Sequence, residues 1–213
     1  MDIVSTDGWW SRIADFPLFV TVNAQLPIHS IKDLVAYAKA HPDKANYASS
    51  AGVFQVTTEL FKQKTGTQIT MIPYKGSNGS VQAVAGGEVM MTIVDPPPAT
   101  PAIKNGSIRA LAVTSAKRHP QWPDLPTMTE AGVPDMEVPV FTAFFAPAKT
   151  PAAIVARLQK EVARVVHTPE VTERFAAMGI VPVGSTSEEL AAVVARDIAK
   201  YKAVAKAANI HND

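Results

Sequence analysis

The chain contains no cysteine in its 213 residues, which excludes disulfides, thiolate nucleophiles and cysteine-held metals together. That suits an oxidising compartment, where stray thiols are a hazard, without requiring one. Net charge is equally scarce, with 20 lysines and arginines against 19 aspartates and glutamates. No global field draws in nucleic acid, and no basic face shows in the pattern. No apolar run approaches the roughly 18 residues that span a bilayer, because proline, glycine or charge interrupts each candidate. The opening Met1-Asp2-Ile3-Val4-Ser5 lacks the basic start and apolar stretch of a signal peptide. Catalytic signatures are missing too: there is no G-x-S-x-G elbow, no G-x-G-x-x-G and no P-loop. The five histidines, His29, His41, His119, His167 and His211, are scattered and read as surface residues. A metal site or catalytic pair assembled from distant parts of the chain is the open alternative.

What the chain has in quantity is punctuation. Seventeen prolines make its elements easy to delimit, and 47% hydrophobic residues supply a core. Residues 17–22 predict a buried strand, and Ser30 with Asp33 predicts a capping box ahead of a helix striped by Ile31, Leu34, Val35 and Ala38. That helix stops before His41-Pro42. Residues 45–48 predict a strand, and 53–64 a helix with Val53, Val56, Leu60 and Phe61 on its apolar face and Gly66 beyond its end. A strand over 69–74, a loop over 75–79, a short helix over 80–85 and a strand over 89–94 follow. Then come three prolines, one or two helical turns over 99–104, and a strand over 108–114.

The segment 116–139 is proline-rich and irregular. After it the pattern predicts a buried strand over 141–146 and a long helix from Thr150-Pro151, whose core face is Ile154, Val155, Leu158, Val162 and Val165. A shorter helix over 169–178, a strand over 180–183 and a final helix capped by Thr186 and Glu189 complete the chain. Strands alternating with helices at this spacing call for parallel βαβ units. Such sheets bind ligands in the loops at the carboxyl ends of their strands.

Three of those loops carry suitable residues. Small residues at a strand-to-helix turn leave backbone N–H groups free at the positive end of a helix, which holds a carboxylate or phosphate without a formal cation. Ser49, Ser50 and Gly52 fit this pattern, as do Gly76, Ser77 and Asn78. Ordinary N-capping accounts for the same residues equally well. Asp95 opens the third loop, and Lys75 stands in the second as either a cationic contact or a solvated side chain. The pair Trp9-Trp10 reads as core or interface filling, or else as an aromatic ligand platform.

Asn46-Tyr47-Ala48-Ser49-Ser50, Glu59-Leu60-Phe61 and Pro73-Tyr74-Lys75-Gly76 resemble the substrate-binding proteins of tripartite tricarboxylate transporters, the TctC or Bug receptors. The resemblance continues through residues 109–115, through 125–132 and through Ala146-Pro147-Ala148-Lys149-Thr150-Pro151. It implies an α/β, periplasmic-binding-protein-like (type II) fold of two lobes with parallel-rich sheets. Residues 1–22 and 138–213 would form what is present of lobe 1, and 23–137 lobe 2. Lobe 1 would be incomplete, because family members carry a further segment ahead of the point where this chain begins. Without that wall, binding would be impaired, and the unpartnered helix stripes would favour self-association. The loop after Tyr47 also departs from the family, with Val53-Phe54-Gln55 where small residues often stand.

The function so implied is extracytoplasmic: a receptor that binds a small organic carboxylate in the periplasm and delivers it to membrane permease subunits. It needs no cofactor, metal or nucleic acid and is not an enzyme. Its ligand-binding residues would be Ser49, Ser50, Gly52, Tyr74, Gly76, Ser77 and Asp95. A ligand-sensing or protein-docking module on the same fold, with its partner at 116–139, is the alternative, and an α/β enzyme the third reading.

Overall fold

The computed structural model describes residues 9–50, 52–138, 140–147, 149–208 and 210. The elements run β1 (Trp9–Phe16), β2 (Phe19–Asn23), α1 (Ile31–Ala40), β3 (Asn46–Ser49), α2 (Gly52–Thr65), β4 (Thr70–Pro73), α3 (Gly76–Ala85) and β5 (Met91–Val94). They continue with α4 (Pro96–Lys104), β6 (Ile108–Val113), β7 (Val140–Phe145), α5 (Ala152–Val166), α6 (Pro169–Ala177), β8 (Val181–Pro182) and α7 (Ser187–Ala207). Contacts divide the chain into two units, Met1–Phe16 with Val140–Ala203 and Pro17–Pro139 with Val204–Asp213.

The larger unit is built on a five-stranded sheet in the order β4-β3-β5-β2-β6. β3 runs parallel to β4 and to β5, whereas β2 runs antiparallel to β5 and to β6. All five residues of β2 are buried, as a central strand covered on both faces requires. The resemblance assigns Phe19–Val22 to lobe 1; the structure instead pairs that strand with β5 and β6. Phe19, Val84, Val94, Ala99 and Val113 form the heart of the adjoining core. Each fully buried aliphatic or aromatic side chain of that kind contributes roughly 1.5–3 kcal/mol.

Local signals explain most of the elements. Ser30 accepts from Asp33 N–H at 3.0 Å, while Asp33 returns the favour to His29 N–H at 3.0 Å. α2 buries Leu60 and Phe61 of the predicted face together with Phe54, Thr57 and Thr58, while Val53 is exposed and Val56 half-buried. Its two threonines fit the core because their hydroxyls bond back to the carbonyls of Val53 and Phe54. Irregular as it is, segment 116–138 is anchored. Met128 N–H donates to Val113, Val113 N–H to Pro126, and Val138 N–H to Thr114. His119 corrects the expectation of surface histidines, since it is buried with its ring edge-on to Phe19. His211 lies outside the described residues.

The smaller unit holds a three-stranded antiparallel sheet in the order β7-β1-β8. Trp9 and Trp10 open β1, their side chains lying outside the described residues. β1 is a strand without a clear apolar alternation, held by partners that only the fold brings near. Ser11 Oγ donates to the Ser185 carbonyl, and Ser185 Oγ accepts from Arg12 N–H at 2.9 Å. β7 is not the buried strand that its composition predicts, since Phe144 and Phe145 are about half exposed. The stripe on α5 is corrected likewise: Ile154, Leu158 and Val165 are exposed, and the helix buries only Val166. The capping box at α7 forms in full, with Thr186 N–H to Glu189 Oε2 at 2.9 Å and Glu189 N–H to Thr186 Oγ1 at 3.2 Å.

Three measurements check this account. Arg109 spans three carbonyls, Ala24 at 2.9 Å, Leu26 at 3.2 Å and Ile28 at 2.8 Å, and so ties the β2–α1 connection to β6. Arg109→Ala is expected to cost about 2–4 kcal/mol in urea unfolding, and Arg109→Lys to recover less than half, because an ammonium cannot reproduce the guanidinium fork. Gly184 has φ +63°, and a Cβ there would stand 2.8 Å from Ala163 Cα and 3.0 Å from Val166 Cγ2. Gly184→Ala is therefore expected to lose roughly 2–4 kcal/mol, from left-handed strain plus a clash with backbone. Glu130 is held below the ordinary carboxylate value of 4.5, first by Thr127 N–H and then by Arg118. Its contribution is present above that value and is lost as pH falls below it. Unfolding followed from about pH 6 to about pH 3 is expected to show a shallower acid loss in Glu130→Gln.

Candidate functional site

Because β3, β4 and β5 point the same way, their carboxyl ends meet at one edge of the five-stranded sheet. There each strand turns into a helix: Ser49 leads to α2 at Gly52, Pro73 to α3 at Gly76, and Val94 to α4 at Pro96. Three helix amino ends, each carrying partial positive charge, gather at this edge. The three ends differ in what they can donate. α4 begins Pro96-Pro97-Pro98, and proline has no N–H, so this end supplies a dipole but no donors in its first three residues. α3 begins Gly76-Ser77-Asn78, and its N-cap Lys75 makes no side-chain cap hydrogen bond. The N–H groups of its first turn have no partner within the helix and are left for a ligand or solvent.

The structure corrects one boundary here. The loop over 75–79 and the helix over 80–85 are a single helix, α3, wound from Gly76. Glycine, serine and asparagine are poor inside a helix, but in its first turn they meet no penalty from a preceding turn, and the small side chains leave the N–H groups accessible. Gly76 has φ +77°, with nothing within 4 Å of the place a Cβ would occupy, so the approach to this end is open.

An open cavity of about 490 Å³ lies at this edge, lined by Lys75, Gly76, Ser77, Asn78, Asp95, Pro97 and Pro98. Lys75 forms no ion pair with a described carboxylate. Around the edge, several buried polar atoms lack partners: Ser50 Oγ, Asp95 Oδ1 and, one turn into α3 and α4, Ser80 Oγ and Thr100 Oγ1. The pairing of Tyr47 with Met91 and Ala48 with Thr92 sets Ser50 and Asp95 on adjacent strand ends. A larger cavity of about 510 Å³ at the opposite end of the parallel strands is lined by Asn23, Tyr37, Asn46, Gly87 and Met90, among others. Two of its amides are already engaged, Asn46 Oδ1 with Met90 N–H and Asn23 Nδ2 with the Val84 carbonyl. The smaller cavity adjoins the uncapped amino end of α3 and the unpartnered Asp95 Oδ1, so it is the better candidate.

The seven residues singled out from sequence do not all meet in it. Gly76, Ser77 and Asp95 line the cavity. Ser49 is buried, its carbonyl accepting from Tyr74 N–H at 2.8 Å, and Ser50 stands beside it. Gly52 opens α2 with free space around it. Tyr74 holds the edge by its backbone, while its ring lies against Gly79 and its hydroxyl donates to Glu88 Oε2 at 3.0 Å, away from the cavity. Phe54 is buried on α2 and is not among the residues lining this cavity. Ser80 and Thr100 escaped sequence reading because a lone hydroxyl in a short helix carries no signal. Among the described residues no cluster of His, Asp and Glu is arranged to hold a metal ion. No helix among them is long and apolar enough to cross a membrane.

The family model for the tripartite tricarboxylate transporter family receptor matches residues 6–210. Protein BugT of Bordetella pertussis is 34% identical over 198 residues, covering 92% of this chain and 61% of that protein. The solved structure of R. palustris Rpa4515 with adipate shares 38% identity at a TM-score of 0.88, covering 96% of this chain and 70% of its own. MatC (Rpa3494) from Rhodopseudomonas palustris with bound malate shares 27% identity at a TM-score of 0.83, over 92% of this chain and 68% of its own. A similar structure, BugD, is a periplasmic binding protein. The chain thus spans 61% of the length of BugT and 70% of the solved Rpa4515 chain. With its fold and nearly its whole length matched, the chain belongs to the tripartite tricarboxylate transporter receptors, a family of binding proteins and not of enzymes.

Proposed function

We propose that this chain binds a small organic carboxylate in the periplasm for delivery to the permease subunits of a tripartite tricarboxylate-type transporter. The observation that carries the reading is the uncapped amino end of α3, with Gly76, Ser77 and Asn78 opening into the cavity. A carboxylate placed there takes backbone N–H donors and the helix dipole together, and the unpaired ammonium of Lys75 stands at the rim. Rpa4515 with adipate and MatC with malate support the class of ligand, since both are dicarboxylates held by relatives of the same fold. Periplasmic placement draws its support from BugD. Self-association of the chain belongs to the same reading and is supported by the apolar stripe that α5 leaves exposed.

Thermal unfolding of the chain against mono-, di- and tricarboxylates tests the proposal. An acid at 100 times its dissociation constant is expected to add about 2.7 kcal/mol of stability. A paired variant separates binding from folding. Ser77→Asp puts a negative charge in the first turn of α3, which suits the helix dipole and leaves the unfolding midpoint unchanged or raised. The same charge occupies the place of the ligand and is expected to abolish the acid-induced shift. No shift with any acid from the folded native chain, or an undiminished shift in Ser77→Asp, would overturn the assignment.

A further inference from the structure

An acidic residue just ahead of a helix normally turns its carboxylate back to accept from N–H groups of the first turn. Asp95 stands at that position before α4, with extended backbone at φ −66° and ψ 152°. The three residues that follow are Pro96, Pro97 and Pro98, so those N–H groups do not exist. The helix makes no side-chain cap hydrogen bond with Asp95. Its Oδ1 is buried and has no hydrogen-bond partner, while the residue lines the same cavity as the amino end of α3. No described lysine or arginine forms an ion pair with it.

An ionised carboxylate accepts hydrogen bonds and donates none. Leaving one of its oxygens buried and bare is costly, so a partner that brings a donor to it gains more than an ordinary hydrogen bond would supply. The neighbouring Ser50 hydroxyl can donate or accept and therefore discriminates little. A ligand that is only an anion meets repulsion at Asp95 and leaves the oxygen bare. A ligand that sets a carboxylate at Gly76–Asn78 and a hydroxyl or ammonium at Asp95 satisfies both ends of the cavity.

We infer that Asp95 is a specificity determinant, making the pocket prefer acids that carry a hydroxyl or ammonium group over the matched acids that lack it. This rests on the carboxylate-binding reading of the same cavity and names the chemistry its second polar end demands. The prolines of α4 take part in the device, because by removing the competing N–H donors they keep the carboxylate available to the ligand.

Isothermal titration of the full chain with matched acids reads this directly: succinate beside malate and aspartate, glutarate beside 2-hydroxyglutarate, adipate beside 2-hydroxyadipate. Within the chain length that binds, the acid with a donor is expected to bind about tenfold tighter or more, the factor a hydrogen bond to a charged group supplies. Asp95→Asn keeps the shape and removes the charge. In that variant the advantage of an ammonium is expected to vanish, and the plain diacid to bind as well as or better than it does to the native chain. Asp95→Ala, with its unfolding midpoint recorded alongside, should level the matched acids to within about twofold. Equal binding of matched acids by the native chain, or an unchanged preference in Asp95→Asn, would overturn the role of Asp95 and leave the carboxylate site standing. Failure of every acid to bind would overturn the site itself and this inference with it.

Discussion

The site depends on the shared direction of β3, β4 and β5. Parallel strands must each be re-entered from the far end, so every crossover helix begins at the same edge, and its amino end arrives there whatever its sequence. The register of β3 with β4, from Asn46 opposite Thr70 to Ser49 opposite Pro73, sets the ends of these two strands level. β2, inserted between β5 and β6 in the opposite sense, supplies a wholly buried central strand and brings Phe19 level with Val94 and Val113. Its position is secured from outside the ladder. Leu18 N–H donates to Thr114 Oγ1, which in turn donates to the Val138 carbonyl. Sheet direction thus supplies the positive field, and the first residues of each helix decide whether that field comes with donors.

That division explains which parts of the molecule could be read from sequence. Most elements announced themselves through caps and breakers, as at Ser30–Asp33 and Thr186–Glu189, where the hydrogen bonds form as the spacing requires. The motifs behind the family resemblance also have physical content here. Tyr47 is fully buried and donates to Glu59 Oε1 at 2.9 Å, and Glu59 holds Lys62 at 2.7 Å, so the strand motif and the helix motif are one contact. Thr127 and Glu130 exchange the two bonds of a capping box around a turn that never becomes a helix. What escaped was tertiary in origin. β1 is held through Ser185, about 170 residues away, and no local pattern reports a partner at that distance. The buried face of α2 keeps Leu60 and Phe61 but shifts at its start, because Thr57 and Thr58 hide their hydroxyls against their own helix, which an apolar count scores as polar.

At the candidate site the loops singled out from sequence border one cavity, but their side chains do not all face it. Gly76, Ser77 and Asp95 were chosen because loops at strand ends are where such sheets bind ligands, and all three line the cavity. Tyr74 was included on its neighbours' account, although its phenol bonds Glu88 and serves the outside of α3. Nothing in the residue type distinguishes these outcomes, since a tyrosine after a strand can turn to either side. The three prolines, by contrast, were visible from the start. Their meaning emerged only when Asp95 was seen at the N-cap with nothing to cap.

The balance of charge in the cavity fits the moderate binding that the proposed function requires. Two unit charges about 4 Å apart interact by about 4 kcal/mol at a protein surface, so a lysine or arginine at the centre would hold a dicarboxylate firmly. In the proposed reading the donors are backbone groups of α3, the one cation among the described lining residues is exposed at the rim, and Asp95 would oppose any ligand that brings only negative charge. Backbone donors are fixed before the ligand arrives and gain no ordering penalty from it, which gives selectivity by geometry at moderate strength. The role inferred for Asp95 would work in the same direction, because discrimination needs a penalty for the wrong ligand as much as an attraction for the right one. On the proposed function, a pocket arranged in this way would recognise an organic acid by the pattern of its acceptors and donors at a strength that still allows release.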